Sequence, residues 1–216
     1  MMPNIALIVA MRSEVPYMLR KTTGTYQFGN NAVGLAVSGI GLKRARQAAQ
    51  RVCGGSLGFH PELLINSGFC GAVGKGIEVG HLVVPDRLAH RDQEIDFNNR
   101  AVEIVADLLE KSEYHVGKLQ TFNWPVLSGS RVPRGALAVD MESFAIAQTA
   151  AKYHIPLAII KAVSDVVPEQ AGLFSLLSLV RNLKINTRKA GDRLNVVVKK
   201  IFEDQDLFEK SVGRLR

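Results

Sequence analysis

The stretch ALAVDMESFAIAQTAAKYHIPLAIIKAVSD, residues 136–165, decides the fold. It opens on a short apolar run, Ala136 to Val139, and passes through an Ala-rich amphipathic segment from Met141 to Tyr153. It closes on a second apolar run, Leu157 to Val163. Bounded apolar runs of about four to eight residues are strand-sized, whereas the segment between them has helical length and period. The unit therefore reads as strand, helix, strand, with an acidic residue just past each strand.

The same alternation continues outward. A strand is expected at Ile5 to Ala10, and a helix from about Ser13, where Ser followed by Glu and an apolar series is an N-terminal signal. Two strands, Gly24 to Phe28 and Ala32 to Val37, flank Gly29-Asn30-Asn31 as a hairpin turn. The segment Ser38-Gly39-Ile40-Gly41 then leads into a helix from Leu42 to Cys53. Ala45, Ala48, Ala49 and Val52 form its apolar stripe and Gly54-Gly55 its stop. Further on, the pattern predicts a strand at Leu63 to Ser67, a turn from Gly68 to Gly76, a strand at His81 to Val84, a helix from Asn99 to Glu110, and an extended stretch from His115 to Leu127. The last third is helical in character, apolar on most sides from Leu173 to Leu183 and closing the core from Ala190 to Phe202. This is the pattern of an α/β sheet with helices on its faces.

Composition excludes several classes. A chain of 216 residues, 47% hydrophobic and 22% charged, can bury one substantial core, and no repeat or low-complexity linker divides it, so one domain over residues 1–216 is expected. No apolar run approaches the roughly 20 residues needed to span a bilayer. The opening Met-Met-Pro-Asn enters a strand without a secretory signal, which points to the cytoplasm. Cys53 and Cys70 lie in no metal-ligand spacing, so neither a metal nor another cofactor is implied. The net charge of +7 is spread along the chain and lacks the aromatic interleaving of a single-strand nucleic-acid platform, so no nucleic-acid partner is expected. The basic residues read as a solvated face; the alternative is attraction to an anionic membrane surface.

In open sheets ligands bind where strands end and the chain turns into loops and helix N-termini. Five segments fall at such ends: Met11-Arg12-Ser13-Glu14, Ser38-Gly39-Ile40-Gly41, Ser67-Gly68-Phe69-Cys70-Gly71-Ala72, Asp140-Met141-Glu142-Ser143 and Ser164-Asp165. Taken singly, each has an ordinary explanation. Glu14 would complement a helix dipole, Asp140 and Glu142 would favour a helix start, and Ser164-Asp165 would cap a turn. The ordered set carries more weight than any member.

That set resembles the nucleoside phosphorylase superfamily, in particular its methylthioadenosine/S-adenosylhomocysteine nucleosidase branch, from about Ile5 to Val167 with a gap in the middle. Val139-Asp140-Met141-Glu142 and Val163-Ser164-Asp165 are its most specific motifs. The resemblance implies a single-domain α/β fold with a twisted central mixed sheet flanked by helices, assembled as a homodimer or larger homo-oligomer. It implies a small-molecule nucleoside substrate whose N-ribosidic bond is cut. Asp165 would be the general acid at N7 of the departing purine, and Glu14 the general base for water. Glu142 would hold the ribose hydroxyls, with Met141 against the sugar face. Met11, Gly39, Phe69, Cys70, Gly71, Ser164 and Trp124 complete the candidate binding set.

Two departures matter. Superfamily phosphorylases clasp phosphate with Arg and Ser or Thr, where this chain has Asn66 and Phe69. That favours water over phosphate, unless Arg12 or Lys43 replaces the cation. The middle of the chain is also short, which reduces the cover over the base to Phe122-Asn123-Trp124-Pro125. These features, with the apolar then basic last third, look similar to the hopanoid-biosynthesis-associated members. That similarity implies a lipid-linked adenosine such as adenosylhopane and peripheral contact with the inner membrane surface. The competing readings are a phosphate-dependent phosphorylase and a non-catalytic nucleoside-binding protein.

Overall fold

A computed structural model of the chain describes residues 4–19, 22–28, 31–96, 113–170 and 173–203, together with 102, 109 and 110; for residues 31 and 173–184 it describes the backbone alone. The helix expected from Asn99 to Glu110 lies outside the described residues except for 102, 109 and 110, and so do the tail beyond Glu203 and the side chains from Leu173 to Leu183.

Among the described residues nine strands form one mixed sheet: β1 (Asn4–Val9), β2 (Gly24–Phe28), β3 (Asn31–Val37), β4 (Leu63–Ala72), β5 (Leu82–His90), β6 (Gln93–Asp96), β7 (Tyr114–Thr121), β8 (Ala136–Asp140) and β9 (Leu157–Val166). Their order is β2-β3-β1-β4-β8-β7-β5-β6, and β9 pairs with both β4 and β5. The path β4-β8-β7-β5-β9-β4 thus closes on itself, so one half of the sheet is a small distorted barrel and the other half an open wing. The α/β architecture read from the sequence is the one observed.

Among the described residues three helices cover the sheet: α1 (Leu42–Cys53), α2 (Ser143–Lys152) and α3 (Leu173–Glu203). Because the central strands are buried on both faces, they read as unbroken apolar runs. Alternation still sorts their side chains. Ile5, Leu7 and Val9 of β1 pack with Leu194, Val198 and Phe202 of α3. Ala6 and Ile8 pack with Ala45 and Val52 of α1 and Ile146 of α2 on the opposite face.

Several boundaries differ from those expected. The helix expected from Ser13 is only a 3-10 turn, Arg12–Glu14. α2 starts at Ser143, two residues later than predicted, because Glu142 takes a non-helical cap conformation. The extended stretch expected to Leu127 is strand only to Thr121, and β5 runs on to His90 rather than stopping at Val84.

The largest correction concerns Gly68 to Ala72, predicted as a turn with Cys70 inside it. The whole segment is β4 strand, buried along its length. The glycines are there for space. A Cβ on Gly68 would come within 2.9 Å of Glu14 Oε1, and one on Gly71 within 3.0 Å of Asp165 Oδ2. The first is closer than real Cβ atoms come, and the second is at that limit with Val167 Cγ2 at 2.9 Å beside it, so at both positions the strand carries glycine where an acidic side chain lies against it.

Candidate active site

Each acidic side chain reaches the site by a different local device. Glu14 stands on the 3-10 turn after β1 and folds back, so that its Oε2 accepts hydrogen bonds from the N–H groups of Ala10 and Met11, both at 2.8 Å. Its Oε1 accepts the Phe69 N–H at 2.9 Å. Burial pushes its pKa up, against the pull of Lys161 and of the three N–H donors. A carboxylate held this way has a fixed direction and raised basicity, both of which suit a proton acceptor.

Glu142 caps α2 at the end of β8. Its Oε1 accepts the Gly41 N–H at 2.8 Å, joining the loop before α1 to the start of α2. Burial, followed by repulsion from Asp140, raises its pKa to about 7, opposed by Lys161 and the Gly41 hydrogen bond.

Asp165 depends on an irregularity. In the parallel pairing of β4 with β9, Cys70 faces Val163 but Gly71 faces Asp165, so Ser164 is the extra residue of a bulge. Asp165 Oδ1 accepts the Ser164 hydroxyl at 2.7 Å. Burial raises the Asp165 pKa and the serine hydrogen bond opposes the rise. A carboxyl whose protonated form is favoured by burial is suited to donate a proton.

Behind these groups lies a charged residue that the sequence reading missed. Lys161, buried in the middle of β9, pairs with Asp140 Oδ2 at 3.1 Å. Asp140 also accepts from Thr121 Oγ1 at 2.7 Å and from the Ser143 hydroxyl at 2.5 Å, whose single hydrogen is shared with Asn66 Oδ1 at 2.8 Å. Burial by itself favours neutral lysine, but Asp140, Glu142 and Glu14 outweigh it and hold the ammonium above its ordinary pKa. A lone Lys in the run LAIIKAV was the available signal; its partners come from other elements.

A cavity of about 280 Å³ opens between these elements. Glu14, Glu142 and Asp165 line it, together with Met11, Phe69, Cys70, Gly71, Trp124, Met141 and Ser164. Gly39 does not. Its N–H is bonded to the Ala10 carbonyl at 3.0 Å, and its neighbour Ile40 faces the space instead. Phe122 lines a neighbouring cavity rather than this one. Pro125, Val126, Leu127 and Val139 complete the apolar wall; Pro125 and Val139 lie in motifs read from the sequence, whereas Val126 and Leu127 were not expected at the site. Burial drives the Cys70 thiol strongly upward, so it lines the wall as a neutral group.

No Lys or Arg lines the cavity among the described residues, Arg12 and Lys43 included. Nor do the described residues contain any grouping of three His, Cys, Asp or Glu side chains fit to hold a metal. No described helix is long and apolar enough to cross a membrane.

Carboxyl groups converging on a cation-free, largely apolar hollow define a site for acid–base chemistry on a ligand without strong negative charge. The Phosphorylase superfamily is matched by residues 4–122 and 119–203, and the chain belongs to it. It is accordingly an enzyme of N-glycosidic bond cleavage, hydrolase or phosphorylase. Over 224 aligned residues, covering 86% of this chain and 94% of the relative, it is 26% identical to the 5′-methylthioadenosine/S-adenosylhomocysteine nucleosidase of Exiguobacterium sp.. The structure of the Neisseria meningitidis enzyme of that name, in complex with methylthio-immucillin-A, superposes with a TM-score of 0.72 at 25% identity, covering 92% of this chain and 100% of that one. The S. pneumoniae enzyme with a transition-state inhibitor, MT-ImmA, shares the fold at a TM-score of 0.78 and 23% identity, covering 94% and 100% of the two chains.

Proposed function

We propose that the protein is a purine nucleosidase, acting on an adenine nucleoside that carries a 5′-substituent. The observation that carries this reading is the meeting of Glu14, Glu142 and Asp165 around one cavity. In the proposed reaction water attacks C1′ of the ribose and Glu14 takes its proton. Asp165 donates a proton at N7, so the base leaves neutral rather than as an anion. Glu142 accepts hydrogen bonds from the ribose hydroxyls, and its negative charge stabilises the oxocarbenium-like state as the bond opens. Met141 packs against the sugar and Trp124 against the base.

Water is favoured over phosphate on electrostatic grounds. A phosphate dianion would enter a hollow with several acidic groups and, among the described residues, no lining cation, so it would meet repulsion without a guanidinium there to offset it. The 5′-substituent is read as apolar because Met11, Ile40, Phe69, Val126 and Leu127 supply the wall. A lipid-linked adenosine such as adenosylhopane is the extreme of that class, and the basic last third would then dock the protein on an anionic membrane surface. Assembly into a homodimer or larger oligomer is part of the same proposal.

The test is incubation with a panel of adenosine derivatives, with and without phosphate, while free base and sugar are followed. Release of adenine and a reducing sugar at a rate indifferent to phosphate is the expected result. A sugar 1-phosphate formed only when phosphate is present would replace the nucleosidase reading with the phosphorylase one. Binding of nucleoside without any release of base would leave a non-catalytic binding protein.

A further inference from the structure

A second and larger cavity, of about 760 Å³, lies next to the first and shares residues Trp124, Pro125, Val126 and Leu127 with it as a common wall. Its chemistry is the reverse of its neighbour's. Arg91 and Arg131 line it, as do the hydroxyls of Ser128 and Ser130, and Asp92 is its one acidic lining residue. Neither guanidinium takes part in an ion pair or a side-chain hydrogen bond among the described residues. Arginine presents a planar fork of donors that matches a carboxylate or phosphate group, so two exposed, unengaged guanidiniums lining one cavity supply donors for an anion.

Two further observations point the same way. Gln120, on β7, is only 3% exposed and lines this cavity, yet its side-chain amide has no hydrogen-bond partner among the described residues. Its amide atoms are not enclosed, since Ser67 Oγ is the one fully enclosed side-chain polar atom without a partner among the described residues, so they open into the cavity and are available to a polar ligand there. Arg91 sits in the tight turn closing β5 and β6, where His90 pairs with Gln93, and holds φ at 54°. Asn or Gly is the usual choice at that backbone angle, so the turn carries arginine against local preference. Phe122, Trp124 and Pro133 add flat apolar surface beside these groups.

We propose that this second cavity binds a small organic anion, a carboxylate or phosphate monoester on an aromatic or apolar body, and that its occupancy is transmitted to the first cavity through the Trp124–Leu127 segment. Arg91 and Arg131 hold the anionic head, Gln120 and the Ser130 hydroxyl complete its hydrogen bonds, the Ser128 hydroxyl being donated to the Glu169 carbonyl, and Phe122 and Trp124 receive the body. The segment forms a wall of both cavities, so a ligand that fixes its position on one side alters the shape available on the other.

The molecule contains its own reporter, because Trp124 is its single tryptophan. Binding is read without turnover, so the result is independent of whether the first cavity hydrolyses nucleosides. Phenyl phosphate, with inorganic phosphate in parallel, is titrated at constant ionic strength while Trp124 emission is recorded. A saturable change with phenyl phosphate is expected, weakened about tenfold or more in the Arg91→Ala/Arg131→Ala variant and several-fold in Gln120→Leu. Glu142→Gln, which alters only the first cavity, should leave it unchanged. In Asp165→Asn, saturating phenyl phosphate should shift the apparent affinity for adenosine, and adenosine should shift that for phenyl phosphate by the same factor. Absence of a saturable change, equal affinity in the double arginine variant, or loss of binding in Glu142→Gln would each overturn the proposal, the last by placing the anion in the first cavity. Inorganic phosphate binding as tightly as phenyl phosphate would overturn the part assigned to the apolar body.

Discussion

The two sides of the nucleoside-sized cavity are built on opposite principles. On the sheet side, Glu14 is held by three backbone N–H groups, Glu142 by the Gly41 N–H, and Asp165 by a bulge in β9, with Lys161 and Asp140 paired behind them. On the other side, Trp124 is 79% exposed and Leu127 46%, in a segment outside any helix or strand. The comparison separates two tasks. Proton transfer needs groups fixed to within a fraction of an ångström, and crossed strands supply that. Accommodating different nucleosides needs a wall that can shift, and an irregular surface segment supplies it.

If this division holds, changes on the sheet side should cost rate and those on the loop side should cost affinity. The largest effect is expected from Asp165→Asn, which keeps the shape but cannot donate the proton: kcat should fall by about 10²- to 10⁴-fold with little change in nucleoside binding. Steady-state kinetics beside a direct binding titration would check it. Equal losses in both quantities would break the contrast.

Lys161→Met should act mainly on stability. It leaves Asp140 buried with its charge uncompensated, at a cost of about 3–5 kcal/mol measured by chemical denaturation. Lys161→Arg should recover part of this if the charge rather than the exact length is what matters.

Gly71→Ala should displace Asp165, since the added methyl would lie 3.0 Å from Oδ2 and 2.9 Å from Val167 Cγ2. Overpacking of this kind costs about 1–3 kcal/mol. The expected signature is a fall in kcat at unchanged KM, together with a lower Tm.

The pH dependence of stability sharpens the electrostatic half of the comparison. Glu142 has a folded pKa of about 7 against an ordinary 4.5, so the folded state binds more protons than the unfolded one between those values. Its contribution to stability is therefore largest at low pH and is lost as pH rises from about 4.5 to about 7. In Glu142→Gln, Tm should lack this decline, and the difference between variant and wild type should grow across that window. A difference flat with pH would mean that Glu142 titrates normally.

The smallest effect is expected on the loop side. Trp124→Ala removes an exposed aromatic face, worth about 0.5–1.5 kcal/mol, so KM should rise by at most about tenfold while kcat holds.

Much of this arrangement was legible before any coordinates. Helix α1 has the bounds that its alanine stripe and terminal Gly54-Gly55 predict, and Glu142 just past β8 marks the site because strand ends are where loops can present an acid; Asp165, expected just past its strand, lies inside β9, one residue before its end. The misreadings have a shared cause. Gly68 to Ala72 looks like a turn because glycine normally marks one, yet the glycines answer to carboxyls arriving from residues 14 and 165, which local pattern cannot display. Ser13-Glu14 looks like a helix start, but Glu14 turns inward to take N–H groups from residues 10, 11 and 69. Lys161 was visible as a lone charge in an apolar run; that its partner is Asp140, on a strand with which β9 does not pair, is a fact of the closed sheet produced only by folding.

The extra residue in β9 has one more consequence. A regular extended chain sends successive side chains to opposite faces, so it can offer a given ligand every second residue at most. By suspending that parity at Ser164, the chain presents a hydroxyl and an acid as a contiguous doublet, and both reach the same hollow. The group that tunes the acid is thereby its covalent neighbour, and the two move as one unit whenever the strand shifts.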